Sequence, residues 1–193
     1  VYLIVGLGNP GIEYRETRHN VGFMVIEKWS SNLGITLRET KLAKDALIQF
    51  NDKKVILMCP LTYMNLSGKA VKAYKDYYGI QTEDILVVHD DLDLPVGRVK
   101  ISRNGGSGGH RGVSSVIEYL GSKEFPRVRI GIGRPRFGED IVDYVLSPFY
   151  EDEWEIVEKV LDVAIEGCEA FISHGIDFAM NKVNSKNLAK GGR

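Results

Sequence analysis

The chain has 193 residues, 44% of them hydrophobic and 26% charged, with a formal net charge of −1; that balance suits one globular domain able to bury a core without covalent staples. No apolar run approaches the roughly 18 residues that a membrane span needs, and no charged-then-apolar leader is present, so a cytoplasmic address is expected. Cys59 and Cys168 sit in apolar surroundings without C-x-x-C spacing, which favours reduced core thiols over a disulfide or zinc site.

In chain order, YLIV at 2–5 reads as a buried strand, and an amphipathic helix follows over Val21–Leu33. ALIQF at 46–50 and VILM at 55–58 read as further strands, and Ser67–Tyr78 as a second helix. ILVV at 85–88 and RVKI at 98–101 are strands, Val113–Leu120 a helix, and VRIGI at 128–132 another buried strand. A long helix is predicted from about Asp152 to Ile172, where Ile156, Val160, Ala164, Cys168 and Phe171 recur at helical spacing. A short helix over Asp177–Val183 precedes NSKNLAKGGR, which reads as a loose tail. Alternating strands and helices predict a single three-layer α/β/α domain over 1–184, with a mixed, mainly parallel twisted sheet, and a tail over 185–193.

The small net charge hides a segregation. Nine basic residues lie between Arg98 and Arg136 against only Glu118 and Glu124, so this stretch carries +7 and the rest of the chain −8. Such an island fits either a solvated face or a footprint for a polyanion held by its phosphates.

In open α/β sheets, ligands gather beyond the carboxyl ends of the strands. The stretches that follow the predicted strands offer Asn9, His19, Asn20, Asn65, Asp90, Asp91, Asp93 and His110. Three local patterns compete for interpretation. Gly6, Gly8 and Gly11 spell G-x-G-x-x-G, but the helix pattern starts about ten residues too late for pyrophosphate to meet its N-terminus. No dinucleotide cofactor is therefore expected. Gly105–Gly109 is a literal G-x-S-x-G, yet four residues separate Ser107 from the strand, which is too many for a tight nucleophile elbow. A serine esterase using Ser107 stays as an alternative. Asp91 and Asp93 are oxygen ligands without a second ligand cluster, so no metal is expected.

His19 and Asp90 form the remaining constellation. If both loops share one sheet edge, Asp90 accepts the imidazole N–H, fixes the tautomer and stabilises the cation formed when the other nitrogen takes a proton. The simplest chemistry is general-base activation of water. Asn9 and Asn65 offer amide donors to a developing oxyanion; taken singly, they serve equally well as turn and helix-start formers.

Five ordered stretches carry a resemblance: GLGNPG-x-x-Y-x-x-T-R-H-N-x-G, T-Y-M-N-L-S-G, H-D-D-L-D-L-P-x-G, G-G-S-G-G-H-R-G and R-V-R-I-G-I-G-R-P. From Tyr2 to Pro135 the sequence resembles the bacterial-type peptidyl-tRNA hydrolases. The resemblance implies metal-independent hydrolysis of the ester between a peptide and the 3′-terminal ribose of tRNA, by a monomer recycling tRNA. It assigns His19 as general base, Asp90 as its orienting partner, and Asn9 to the discrimination of blocked peptidyl-tRNA from free aminoacyl-tRNA. Tyr14, Tyr63 and Asn65 match positions that contact the substrate's 3′ end or peptide, with Met64 lining the same groove. His110 and Arg111 match tRNA-contacting positions, and Arg129 a position for the tRNA 5′-phosphate. Two residues depart from the pattern: Arg111 stands where many members carry Asn, and Ser102 where a lysine often partners the phosphate-binding arginine. A non-catalytic RNA-binding relative is a further alternative, motivated by the basic island.

Overall fold

A computed structural model describes residues 1–189. Seven strands form one sheet: β1 (Tyr2–Gly6), β2 (Arg38–Glu39), β3 (Ala43–Phe50), β4 (Lys53–Pro60), β5 (Ile85–Asp91), β6 (Val99–Ser102) and β7 (Arg127–Gly131). Their spatial order is β2-β3-β4-β1-β5-β7-β6. β4, β1, β5 and β7 are mutually parallel, while β2, β3 and β6 pair antiparallel at the two edges. The sheet is therefore mixed and mainly parallel, as the alternation of elements predicts.

The central strands β4, β1 and β5 are continuous apolar runs because both faces are covered, whereas β7 alternates, with Val128 and Ile130 in the core and Arg127 and Arg129 lining the crevice. One face packs α1 (Val21–Asn32), α5 (Trp154–His174) and α6 (Ile176–Val183) around Ile4, Leu57, Leu86, Val88, Val128 and Ile130. The other packs α2 (Ser67–Tyr78) and α3 (Arg111–Leu120) around Leu3, Val5, Ile56, Met58, Ile85 and Val87. Gly79 and Gly121 end α2 and α3 in the left-handed conformation, at φ 65° each, where glycine carries no Cβ penalty. Cys59 and Cys168 are free and buried, as expected.

Three differences from the sequence reading have physical causes. The turn α4 (Ile141–Val145) lies in a stretch with no predicted element; at five residues it is too short to show a period. The two-residue β2 is likewise invisible to pattern. The expected loose tail is tied down over its first half: Leu188 N–H donates to Gly97 O, Asn187 bridges Arg98, and Leu188 packs on the core. Its last four positions, 190–193, lie outside the described residues. Among the described residues, no helix is long and apolar enough to cross a membrane.

The glycines of GLGNPG have a different purpose from the one their spacing suggests. A Cβ on Gly6 would lie 2.2 Å from Gly22 O, and one on Gly8 2.7 Å from the Phe23 ring. A Cβ on Gly22 would in turn lie 2.4 Å from Val88 O. The start of α1 is thus pressed against the ends of β1 and β5 at a separation only glycine permits, which seats the turn before it at the sheet edge.

Candidate active site

β1 and β5 are neighbours whose outgoing connections run to opposite sides of the sheet, and a crevice opens beyond their carboxyl ends. A cavity of about 860 Å³ lies there. Its lining brings together Asn9, His19, Asp90 and His110, the Tyr63–Met64–Asn65 turn, the glycine loop 104–109, Arg111, Arg127 and Arg129, and an apolar wall of Ile141, Val142, Val145 and Leu146. That wall is α4 and its cap, which the sequence reading did not assign. Tyr14 occupies a half-buried 3-10 turn and is not among the lining residues.

His19 sits in the 3-10 turn Arg18–Asn20 that leads into α1. Its Nδ1 lies 2.8 Å from Asp90 Oδ2, and the other carboxylate oxygen lies 2.7 Å from His110 Nε2. The network assigns both tautomers. His110 caps α3, its Nδ1 accepting the Val113 N–H at 3.2 Å, so its Nε2 carries the proton toward Asp90. His19 donates its Nδ1–H to Asp90, and its Nε2 has no partner among the described residues. Burial works against a charged His19, but the charge and hydrogen bond of Asp90 outweigh it and raise the pKa. Burial likewise disfavours the Asp90 carboxylate, yet the two imidazoles hold it well below the usual carboxylate range.

Asn9 is 8% exposed and fixed from two sides. Its backbone N–H and C=O pair with the amide of Asn20 at 2.9 Å each, and its Oδ1 accepts the Met64 N–H at 2.7 Å. With the oxygen engaged, the Nδ2 donor is the group left over, and it has no partner among the described residues. Asn65 is exposed on the same wall and likewise unpartnered among them. Tyr63 precedes it at φ 61°, ψ 157°, a region of backbone space that costs a non-glycine residue about 1–3 kcal/mol. The strain accompanies the turn that aims Met64 N–H at Asn9 and leaves the Tyr63 ring 54% exposed.

His110 arrives by a route that strand order in the sequence does not suggest. β6 runs antiparallel, with Ser102 opposite Arg127, so its carboxyl end lies level with the amino end of β7. The glycine loop then returns to deliver His110 to Asp90. Arg127 steadies that loop, its guanidinium donating to the carbonyls of Gly105, Gly106 and Lys123; burial and the neighbouring Arg129 lower its pKa to about 10. Ser107 Oγ receives only the Gly109 N–H at 3.3 Å among the described residues, without a hydrogen bond to any histidine.

The basic island is largely spoken for. Arg129 pairs with Asp91, Arg134 with Asp93 and Arg136 with Asp152, at 2.8, 2.6 and 2.7 Å, and Arg103 pairs with Asp177. Asp91 and Asp93 are therefore counter-charges to Arg129 and Arg134 rather than ligands facing one point. Lys100, Arg111 and Lys123 make no ion pair among the described residues, and Lys100 stands directly across the ladder from Arg129. Among the described residues, one trio of metal-ligating types converges, His19, Asp90 and His110, with one ligand atom of each within 4.8 Å. The N···O contacts in it are hydrogen-bond distances with a proton between each pair, so a cation would have to displace both protons.

The family model described as peptidyl-tRNA hydrolase matches residues 3–191. A peptidyl-tRNA hydrolase of Moorella thermoacetica is 49% identical over 188 residues, covering 95% of this chain and 98% of its own. One of Bacillus subtilis is 46% identical over 185 residues, covering 95% and 98%. The crystal structure of the Acinetobacter baumannii peptidyl-tRNA hydrolase superposes with a TM-score of 0.91 at 35% identity, over 97% of this chain and 96% of that one. With fold, crevice and sequence in agreement over nearly the whole length, the chain belongs to the peptidyl-tRNA hydrolase family.

Proposed function

We propose that this chain hydrolyses the ester of peptidyl-tRNA with His19 as general base and Asp90 as its orienting carboxylate. The observation that carries the residue assignment is the 2.8 Å contact between His19 Nδ1 and Asp90 Oδ2, which leaves Nε2 free on the cavity side. Nε2 takes a proton from water as the oxygen attacks the ester carbonyl carbon, and the imidazolium so formed lies against Asp90. The oxyanion of the tetrahedral intermediate meets the Nδ2–H of Asn9, whose orientation is already fixed by Met64 and Asn20. Collapse expels the ribose hydroxyl, which recovers the proton from His19.

The same Asn9 donor supports discrimination. A peptide carbonyl accepts an N–H, whereas the ammonium of a free aminoacyl-tRNA presents only donors and is left unpaired. Asn65, Met64 and the exposed Tyr63 ring supply the adjoining wall for the peptide or the terminal adenosine, the ring by stacking. Lys100, free of ion pairs among the described residues and across the ladder from Arg129, offers the phosphate contact in place of the lysine that Ser102 replaces, and Arg129 joins it by exchanging Asp91 for the phosphate; Arg111 adds a point charge at the mouth. Base, carboxylate and donor are all protein side chains, so the step as drawn is complete without a metal ion.

The test is single-turnover release of tRNA from an N-blocked aminoacyl-tRNA in the presence of EDTA. Activity that survives EDTA and is lost in His19→Ala is expected. Undiminished turnover by His19→Ala would overturn the assignment.

A further inference from the structure

His89 is 4% exposed, lies across the ladder from Arg129 at the floor of the cavity, and takes no part in the chemistry above. Its Nδ1 lies 2.8 Å from the carbonyl oxygen of Asp90, and its ring meets His110 edge-on at 5.0 Å. Why a histidine stands there follows from the ladder. β5 pairs with β1 through its even-numbered residues: Val88 O accepts the Leu7 N–H at 3.0 Å. The next bond in that parallel pattern would run from Asn9 N–H to Asp90 O. It is not made, because Asn9 N–H goes to Asn20 Oδ1. The two strands part at the point where the crevice opens, and each leaves a backbone group that needs a partner. Asn20 supplies one for Asn9; His89 supplies one for Asp90.

We propose that His89 is a positioning residue: its imidazole N–H takes the place of the missing ladder bond and holds the backbone of Asp90, so that one carboxylate reaches His19 and His110 together. The ring is neutral in this role, with the proton on Nδ1, and its Nε2 is buried without a partner among the described residues. The proposal rests on the assignment of His19 and Asp90 as the catalytic pair.

Two substitutions separate positioning from packing. His89→Phe keeps the ring and removes the donor; His89→Asn shrinks the side chain but returns an amide N–H near the place of Nδ1. Positioning predicts that kcat falls about 10- to 100-fold in His89→Phe, with KM unchanged, and that His89→Asn recovers most of the loss. A packing role predicts the reverse order, since Asn leaves the larger void. The acid limb of kcat/KM should also move to lower pH in His89→Phe, because an Asp90 that no longer faces His19 squarely raises its pKa less. If His89→Phe does not fold, His89→Gln, which carries its amide one bond further out, replaces it as the donor-misplaced variant. An Asp90→Asn control distinguishes the two levels. If that variant is impaired while His89→Phe matches the native enzyme, or while Asn does no better than Phe or Gln, positioning by His89 is refuted. If Asp90→Asn is itself unimpaired, the catalytic pair is refuted instead.

Discussion

Replacing Asp90 by Asn keeps the shape of the side chain and changes one acceptor oxygen into a two-proton donor. In the native site both carboxylate oxygens receive imidazole N–H groups, from His19 at 2.8 Å and His110 at 2.7 Å. Asparagine can satisfy only one. His110 cannot change tautomer without losing the Val113 N–H that its Nδ1 accepts, so the amide oxygen turns to His110 and the amide nitrogen faces His19. His19 Nδ1 must then accept, which places its proton on Nε2, the nitrogen proposed as the base. The whole general-base contribution should vanish, about 10²- to 10⁴-fold in kcat/KM, or ~3–5 kcal/mol of barrier. Single-turnover tRNA release measures the rate, and imidazole nitrogen chemical shifts report the tautomer. The logic makes a second demand: in Asp90→Asn/His110→Ala the amide oxygen is free to return to His19. The double variant should therefore be more active than the single one, despite losing a helix cap worth about 1 kcal/mol. An Asp90→Asn enzyme near native activity, or a double variant no better than the single, would refute this reasoning.

Further outcomes follow from the same contacts. Activity should rise with pH through a His19 pKa raised above 6.5, while the stability that the His19–Asp90 pair adds is full below pH 6.5 and is lost as pH rises through that raised value; stability curves and kcat/KM profiles recorded together check the opposite trends. His89 works the other way: with its folded pKa lowered to about 3, the fold loses stability as pH falls below 6.5, by up to about 1.4 kcal/mol per pH unit, so His89→Asn should shift acid unfolding to lower pH. Gly22→Ala should destabilise by more than about 3 kcal/mol in urea titrations, because its Cβ would lie 2.4 Å from Val88 O and 2.6 Å from Leu7 N, both backbone atoms. Ser107→Ala should retain tRNA release within about twofold, and covalent labelling of Ser107 by a phosphonate would contradict that. Neutralising Lys100 or Lys123 should reduce the salt slope of tRNA binding by about one, whereas neutralising Arg134 should leave it unchanged, since that guanidinium already faces Asp93.

Much of this protein is legible along the chain because its causes are local. Continuous apolar runs mark β1, β4 and β5, since a parallel strand covered on both faces has no polar side to display; β7 instead alternates arginine with Val128 and Ile130. Helical spacing places α1, α2 and α5 to within a few residues, and the G-N-P-G, R-H-N and H-D-D stretches carry the family resemblance with His19, Asp90 and Asn9 inside them. Other features depend on which distant segments meet, and local pattern carries no trace of that. β6 has the composition of its neighbours, yet it runs antiparallel, so His110 reaches Asp90 only because the glycine loop doubles back. The +7 stretch looks like a phosphate track until Asp91, Asp93, Asp152 and Asp177 fold onto four of its arginines and backbone carbonyls engage Arg98 and Arg127, which leaves Lys100, Arg111 and Lys123 free of ion pairs among the described residues. The glycines of the first loop suggest a ligand, but they answer to the close approach of α1. Sequence by itself determined the strands, the main helices and the chemical groups available; tertiary structure decided which of those groups remain free to act, because pairing, burial and tautomer are properties of contacts made through space.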